Sequence, residues 1–177
     1  MRISRDEWAM KIALITAQRT TCCRRAVGCV LLNVRGHVLS TGYNGVAAGV
    51  THCNEIEAVK IGRRYSIITT PGLFPHVQLV EHRPKYPHAC SGATSPSGTN
   101  LDGCQAIHAE QNALLQCSDV HSIHTAYITA SPCITCCKML LNTSCHRIVY
   151  KDEYPQSDAR DLWIRAGRSW EQLNVEL

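Results

Sequence analysis

The stretch TAYITASPCITCCKMLLNTSCHRIVYK, residues 125–151, decides the fold. It begins with a β-rich run at 125–130, continues with an apolar run of helical length at 133–142, and ends with a second β-rich run at 147–151. Strands that alternate with helices are typical of an α/β protein in which helices cover a sheet. The stretch therefore predicts a layered α/β fold.

The rest of the chain adds elements of both kinds around this unit. Further helices are predicted over 5–19, 108–117 and 158–166, and further strands over 26–34 and 37–43. In the first helix, Trp8, Ile12 and Ile15 recur at helical spacing. The two strands are separated by Arg35 and Gly36, which predicts a hairpin.

Residues 54–103 differ in composition from the segments on either side. Five of the seven prolines fall within 71–96. Proline lacks the N–H that a sheet needs and breaks helices. We therefore expect an insertion of loops and short strands at about 54–103, within a single domain that spans residues 1–177.

Cysteine content and charge narrow the class of protein. Eleven cysteines are an odd number, and the N-terminal MRISRDEWAM lacks the apolar run of a signal peptide. We therefore expect a cytoplasmic protein, in which such a count favours metal binding over disulfides. The net charge of +4 suits a small anionic ligand and is too low to predict a nucleic-acid partner. No apolar run approaches the roughly 18 residues that a membrane span needs.

One predicted helix supplies two metal ligands. We expect Ser131 to be its N-cap and Pro132 its first helical residue. Cys133 and Cys136 then share one face of the first turn, where the positive end of the helix favours thiolates. A catalytic zinc takes three protein ligands and keeps a fourth position open. We expect His108, at the start of another predicted helix, to be the third ligand.

The presence of Glu110 indicates that the predicted zinc site is catalytic and not structural. A structural zinc needs no extra carboxylate, whereas a zinc that activates water needs a group to accept the proton of that water. His-Ala-Glu at 108–110 with Pro-Cys-Ile-Thr-Cys at 132–136 matches the signature of zinc-dependent nucleobase deaminases. The alternative is a purely structural zinc or an inactive copy of such a site.

The chain resembles the deoxycytidylate (dCMP) deaminase family over most of residues 5–167, with 56–86 unmatched. Besides the zinc motifs, the resemblance is carried by RDEWAMKIALITAQRTTCCRRAVGCVL (5–31), LSTGYNG (39–45) with a cysteine at 53, SPSGTNLDGCQAIHAEQNA (95–113) and IVYKDEYPQSDARDLWIRAG (148–167). Gly-Tyr-Asn-Gly together with both zinc motifs is much more specific than the zinc motifs alone.

This resemblance implies a three-layer α-β-α fold of the cytidine deaminase type, with a central mixed sheet of about five strands and a loop-rich insertion. It implies a hydrolase that converts dCMP to dUMP and ammonia and so supplies thymidylate synthesis. dCTP would activate the enzyme, dTTP would inhibit it, and Mg²⁺ would accompany these triphosphates. The chain would form a homo-oligomer, commonly a hexamer. Another cytosine nucleotide, dCTP or a 5-substituted dCMP, is the alternative substrate.

The resemblance also implies roles for individual residues. The catalytic zinc would be held by His108, Cys133 and Cys136, with Glu110 as the catalytic proton shuttle. The substrate would be bound by Asn44, Ala109, Ser131 and Tyr154. The allosteric site would include Gly42, Tyr43, Asn44 and Gly45.

The Gly-Tyr-Asn-Gly motif has a simpler interpretation from its residues alone. Two glycines and an asparagine tolerate positive φ, so the motif predicts a turn. The family often has a proline shortly after this motif, whereas this chain has VAAG at 46–49.

Relatives with this layout carry a second, structural zinc. Its ligands by position would be Cys22, Cys53, Cys90 and Cys104, and it would tie the insertion to the hairpin. Buried free thiols are the alternative, because cysteine is a common core residue. Cys23, His52 and His88 are also competent ligands, so the set of four stays open.

Other classes of protein remain as competing hypotheses. A zinc-stabilised binding module without turnover is one, and Glu110 argues against it. A polynucleotide editor would need a basic channel with stacking aromatic residues, and the one Phe, three Trp and six Tyr form no basic-aromatic run. The arginine pairs at 24–25 and 63–64 predict solvated faces, with a phosphate contact from one of the four arginines as the alternative.

Overall fold

The computed structural model of the chain describes residues 2–54, 58–61, 64–68, 77–80, 89–93, 95–96, 98–100, 102–155 and 158–177, with the backbone alone over 58–61, 64–68 and 77–80. The elements follow in the order α1 Arg5–Ala17, β1 Gly28–Leu32, β2 Val38–Tyr43, β3 Gly45–Val46, β4 Ala58–Ile61, β5 Arg64–Ile68, β6 Val77–Val80, β7 Ala106–Ile107, α2 Ala109–Gln116, β8 Thr125–Ala130, α3 Ile134–Leu141, β9 Arg147–Asp152, α4 Asp158–Arg165 and β10 Ser169–Gln172. The strand predicted at 125–130 is confirmed residue for residue. Every other predicted helix and strand begins and ends within two residues of its expected bounds.

The chain divides into two compact units. The first comprises Met1–Thr20, Arg25–Gly45 and Ile107–Leu177, and the second comprises Thr21–Arg24 and Val46–Ala106. The expectation of a single domain with an insertion at about 54–103 stays a prediction. Within the described parts of both units, no helix is long and apolar enough to cross a bilayer.

The first unit is built on a five-stranded mixed sheet in the order β10-β9-β8-β1-β2. β1 pairs antiparallel with both β2 and β8, while β8, β9 and β10 run parallel. The predicted hairpin between β1 and β2 is confirmed: the Gly36 N–H donates to the Asn33 carbonyl at 2.9 Å, and Gly36 takes a φ of 84°. β10 was not predicted from the sequence.

Helices cover both faces of this sheet. On one face, α1 contributes Ala9, Met10 and Ala13 to a core that contains Val30, Leu32, Tyr127 and Val149 of the strands. On the other face, α2, α3 and α4 contribute Ala109, Ala113, Cys137, Leu140, Ala159 and Trp163 to a core that contains Cys29, Leu31, Ile128 and Ile148. Alternate residues of each strand thus enter opposite cores, as the pleat requires. The predicted three-layer α-β-α fold is confirmed.

The buried face of α1 consists of small residues and Met10 and not of its largest apolar side chains. Trp8 and Ile15 are 38% and 58% exposed, whereas alanines and Met10 are buried. The reason lies in β1, where a Cβ built on Gly28 would come within 2.0 Å of the Ala13 carbonyl oxygen. Such a close approach of helix and strand admits only small residues at the contact.

The second unit has a sheet of its own. β4, β5 and β6 pair antiparallel in sequence order, with Ala58 opposite Ile67 and Tyr65 opposite Val80. These three short strands lie within the predicted insertion and form a sheet separate from the five-stranded one.

A cluster of charged and hydroxyl groups ties four elements of the first unit together. The Arg147 guanidinium on β9 binds the Asp6 carboxylate of α1 at 2.7 and 2.9 Å and the Glu171 carboxylate of β10 at 2.6 and 2.8 Å. The Tyr127 hydroxyl on β8 donates to Asp6 at 2.6 Å. The Arg147 hydrogen bonds lower the pKa of Asp6 against the opposing effect of its burial. This cluster, the Arg147 fork, joins the three parallel strands β8, β9 and β10 to α1.

We expect Asp6→Asn to reduce the free energy of unfolding by roughly 1–2 kcal/mol at pH 7, since it removes the charge from a bidentate pair. The folded pKa of Asp6 lies below its ordinary value of 3.8. The contribution of Asp6 is therefore present above that value and is lost as the pH falls through the folded pKa. Urea unfolding at pH 7 and at pH 3.5 measures the difference, which should shrink at the lower pH.

The matched control is Glu7→Gln, which removes an exposed pair with Lys11 at 4.0 Å and should cost less than about 0.5 kcal/mol. Equal losses for the two variants would contradict a special role for the Arg147 fork.

Candidate metal centre

Three side chains of the first unit converge as the motif predicted. The ligand atoms of His108, Cys133 and Cys136 all lie within 4.8 Å of one another. His108 Nδ1 is 3.5 Å from Cys133 Sγ and 3.4 Å from Cys136 Sγ. Zinc–nitrogen and zinc–sulfur bonds of ordinary length at a tetrahedral angle separate N and S by about 3.6 Å. The three side chains therefore fit a zinc ion with a fourth position left for another ligand.

Two helix starts bring these ligands together. His108 is the N-cap of α2 and Cys133 is the N-cap of α3, both in extended conformation, and Cys136 lies in the first turn of α3. The N–H groups of two helix starts thus face the cluster, where that of Cys136 bonds the Cys133 sulfur and that of Glu110 bonds its own carboxylate, and they favour negative charge there.

The N-cap of α3 differs from the prediction, which placed Ser131 there and Pro132 in the helix. The Ser131 N–H donates to the Asp152 carbonyl at 2.9 Å, and the Ser131 hydroxyl accepts from the Tyr154 N–H at 2.7 Å. Ser131 thus extends the β8–β9 pairing and is not available to cap. The helix begins after Cys133 instead.

Sequence reasoning missed Gln111. Its Oε1 accepts a hydrogen bond from the His108 N–H at 2.9 Å, which fixes the backbone of the histidine ligand. The signal was in the sequence, because a glutamine three residues after an N-cap is one arm of a capping box.

The charges of the two thiols are coupled. The hydrogen bond from the Cys136 thiol lowers the pKa of Cys133 to about 4, despite burial, with a further contribution from His108. The same interaction, with burial, raises the pKa of Cys136. Without a metal the pair therefore holds one thiolate beside an imidazole, a donor set that suits zinc.

Glu110 lies in the first turn of α2 and is only 4% exposed. The Cys136 side chain lies within hydrogen-bonding reach of its carboxylate, so Glu110 belongs to the same cluster. Burial raises the pKa of Glu110 to about 7, and the nearby His108 opposes this shift. A carboxyl with this pKa both accepts and releases a proton near neutral pH, as a proton shuttle must.

The Gly-Tyr-Asn-Gly motif forms no positive-φ turn. Gly42 and Tyr43 end β2 and Gly45 begins β3, and none of the four residues has a positive φ. A Cβ on Gly42 would lie 2.3 Å from the Ala109 carbonyl oxygen and 2.4 Å from the Ala113 nitrogen of α2. The interpretation of the motif as a turn is therefore wrong. Gly42 instead allows α2 to lie directly on β2.

Two hydrogen bonds hold α2 in that position. The Asn112 amide donates to the Tyr43 carbonyl at 2.8 Å, and the Ser40 hydroxyl donates to the Ala113 carbonyl at 2.8 Å. The first turn of α2, which carries His108 and Glu110, is thus fixed relative to the sheet.

Asn44 is 8% exposed and its side chain is bonded to the chain itself. Its Oδ1 accepts from the Val27 N–H and the Thr20 hydroxyl, both at 2.8 Å, and its Nδ2 donates to the Arg25 carbonyl at 2.7 Å. Of the other predicted substrate residues, Ala109 is fully buried in the first turn of α2. The contacts of these residues with substrate stay predictions, as does an effector site at 42–45.

The four cysteines predicted for a second zinc all lie in the second unit. Cys22, Cys53 and Cys90 are buried and Cys104 is partly buried. Hydrogen bonds join the Cys90 thiol to those of Cys53 and Cys104, and Cys22 lies close enough to affect the pKa of both.

This second cluster is less compact than the first. Among the described residues, the His108 cluster is the one group of three or more potential ligands whose atoms all lie within 4.8 Å of one another. Of the alternative ligands, Cys23 is half-buried and His52 is exposed, and His88 lies outside the described residues. The second zinc stays a prediction.

Known proteins share this site and fold. The model of the cytidine and deoxycytidylate deaminase zinc-binding region matches residues 3–152. The deoxycytidylate deaminase of Mycobacterium phage D29 is 36% identical over 149 residues, which cover 84% of this chain and 94% of that protein. The deoxycytidylate deaminase of Schizosaccharomyces pombe is 34% identical over 86% of this chain. This chain spans 38% of the length of that protein and 39% of its Saccharomyces cerevisiae counterpart.

A solved structure agrees over nearly the whole chain. The dCMP deaminase of cyanophage S-TIM5, determined in complex with dCMP and dUMP, superposes with a TM-score of 0.65 at 25% identity. The alignment covers 98% of this chain and 99% of the phage chain.

We expect Gly42→Ala to lower both stability and zinc content. The new methyl group would meet the backbone of α2, which can only move away and carry His108 with it. Overpacking of this kind costs about 1–3 kcal/mol. Thermal unfolding and metal analysis of the purified variant measure the two effects.

Gly49→Ala is the control, because a Cβ there meets nothing within 4 Å although its φ of 83° is strained for alanine. It should lose some stability and keep its zinc. Full zinc content in Gly42→Ala would show that the glycine does not position the ligand.

Proposed function

The chain belongs to the cytidine and deoxycytidylate deaminase zinc-binding family, and we propose that it hydrolyses dCMP to dUMP and ammonia. The observation that carries this proposal is the metal-binding triad of His108, Cys133 and Cys136 beside the buried carboxyl of Glu110. The phage D29 relative, which this chain matches over nearly its full length, is a deoxycytidylate deaminase.

The three ligands would hold zinc and leave one coordination position open. Zinc bound there would lower the pKa of a bound water to about 7 and so would supply the nucleophile. Glu110 would accept the proton released by that water and deliver it to the ring nitrogen next to the attacked carbon. It would then take the remaining proton from the added hydroxyl group and pass it to the amino group, so that the carbon–nitrogen bond breaks and cytosine and water become uracil and ammonia.

Several surrounding residues would orient these groups. Gln111 holds the backbone of His108, and Gly42 and Asn112 hold α2 on the sheet. Ser131, two residues before Cys133, accepts a hydrogen bond from the Tyr154 N–H, which supports the proposed place of both residues in substrate binding.

Regulation by dCTP and dTTP, with Mg²⁺ accompanying the triphosphates, is the finer part of the proposal. A nucleotide bound at residues 42–45 would lie against α2, because Gly42 contacts Ala109 and the Tyr43 carbonyl binds Asn112. A shift of that contact would move Glu110 and His108 together. We also propose a homo-oligomer, as a hexamer, and a cytoplasmic location.

We further propose that the second unit holds a structural zinc. The Cys53, Cys90 and Cys104 thiols are linked through hydrogen bonds with Cys22 beside them, which supports these four as the ligands. A zinc ion would draw the four sulfurs into one tetrahedron and deprotonate them.

We expect Glu110→Gln to keep its zinc and to lose about 10²–10⁴-fold in turnover of dCMP, the usual contribution of general acid–base catalysis. The variant keeps the size of the side chain and removes its capacity to carry a proton. Ammonia release measures turnover, and metal analysis measures zinc. The control is Glu153→Gln, an exposed glutamate that should leave both unchanged.

Unchanged turnover in Glu110→Gln would refute the assignment of the proton shuttle. The same assay with dCMP, dCTP, deoxycytidine and 5-methyl-dCMP separates the alternative substrates. Its repetition with added dCTP or dTTP tests the regulation.

We expect Cys90→Ser to remove one zinc ion per chain and leave the catalytic zinc in place, because Cys90 is the centre of the second cluster. The catalytic ligands belong to the other unit and should still support turnover. Metal analysis before and after the substitution provides the count, and Cys117→Ser, a half-buried cysteine outside both clusters, is the control. A single zinc per chain in the parent protein would contradict the second site.

A further inference from the structure

Two consecutive arginines have very different surroundings. The Arg24 guanidinium donates to the carbonyl oxygens of Gly92 and Thr99, both at 3.1 Å, and to that of Pro96. Three backbone carbonyls thus use most of its five N–H donors. Arg24 has a structural role in the second unit and is not free to bind a ligand.

Arg25 keeps its donors. Among the described residues, its side chain makes no hydrogen bond, and its contact is a 3.7 Å ion pair with Asp152 Oδ2. The two side chains are 30% and 55% exposed, and Lys151 Nζ also approaches the Asp152 carboxylate at 3.5 Å. Exposed pairs at such distances contribute little to stability. The charge of Arg25 is therefore only weakly compensated, because its ion pair with Asp152 is long and partly exposed.

The register of the sheet brings Arg25 toward the end of β8, the strand that precedes Cys133. β1 and β8 are antiparallel, with Cys29 opposite Ile128. The residues that precede β1 therefore continue along the residues that follow β8, in the direction of Pro132. Asp152 lies opposite Ala130 of β8, and its carbonyl accepts from the Ser131 N–H at 2.9 Å. Arg25 and Asp152 thus meet at the end of the sheet at which β8 finishes and Cys133 follows.

The side chain of Asp152 lies on the face of the sheet that α2 and α3 cover. Tyr150, two residues earlier on β9, packs with Ala109 and Cys137 on the face that α2 and α3 cover. Because side chains alternate along a strand, Asp152 projects to that same face, where His108 and Cys133 lie. The guanidinium that pairs with Asp152 is therefore on the side of the metal centre.

Two other arginines of the first unit are already engaged. Arg147 binds two carboxylates at the opposite end of the strands, where β9 begins. Arg168 donates to the carbonyl oxygens of Cys145 at 2.7 Å and Leu141 at 2.9 Å. Neither has a free planar fork for an anion.

We propose that Arg25 binds the 5′-phosphate of the nucleotide substrate, an inference that rests on the proposed deaminase function. A phosphate monoester carries about two negative charges and accepts two parallel N–H bonds from a guanidinium. It would displace the loose contact with Asp152. Arg25 would thereby select a nucleotide over the free nucleoside.

The test compares substrates with and without the phosphate. Arg25→Ala should raise the KM for dCMP by about 10- to 100-fold, as expected for lost hydrogen bonds to a charged group, and should change kcat little. Its kcat/KM for deoxycytidine should stay within about twofold of the parent. Arg25→Lys should recover part of the affinity for dCMP, because it keeps the charge and loses the fork.

Two further variants sharpen the comparison. Asp152→Asn removes the carboxylate that competes with phosphate, so its KM for dCMP should equal or fall below that of the parent. Arg35→Ala removes the same charge from the exposed β1–β2 turn at the other end of β1, and should leave both substrates unchanged. Thermal unfolding of every variant identifies a loss that is due to misfolding.

The outcomes separate this inference from the proposed function. An equal loss for dCMP and deoxycytidine in Arg25→Ala, or no loss for either, overturns the role of Arg25 while deamination stands. If the parent protein turns over neither substrate, calorimetric binding of dUMP and deoxyuridine decides the question. A preference for dUMP that disappears in Arg25→Ala supports the phosphate site, and the absence of such a preference refutes it.

Discussion

The structure depends on the close packing of helix α2 against strand β2. Gly42 leaves no room for a side chain between the two backbones, and the hydrogen bonds from Ser40 and Asn112 fix the helix along the strand. Because His108 caps this helix and Glu110 lies in its first turn, the same contact positions two side chains of the candidate metal centre. The cysteines follow from the next strand and helix of the same layer, so that no part of the metal centre depends on a long loop.

The centre gathers groups that would be unfavourable without a ligand. A glutamate and two cysteines are removed from water, and burial raises the pKa of Glu110 to about 7. A buried carboxyl and a thiolate repel each other unless a cation lies between them. A divalent ion bound there would reverse this repulsion and would thereby stabilise the folded protein.

Much of the fold and the ligand triad could be predicted from the sequence, because the strand at 125–130, the helices and the motif spacings are local signals. Long-range contacts account for the failures. Ser131 has an excellent capping side chain, but its hydrogen bonds to Asp152 and Tyr154 come from a strand far along the chain. The buried face of α1 is set by Gly28 of β1. The β10 segment Ser-Trp-Glu-Gln has no β-rich pattern and is a strand because β9 pairs with it.

The last strand of the sheet has a consequence for the behaviour of the protein at high concentration. β10 ends the strand order, so among the described residues one side of its backbone has no neighbouring strand and offers a template to another chain. The strand is only four residues long and mostly exposed, and Glu171 at its centre is held by Arg147. A short edge with a fixed charge is a poor starting point for intermolecular β-pairing. The fork that binds the sheet to α1 thus also protects the molecule from aggregation along this edge.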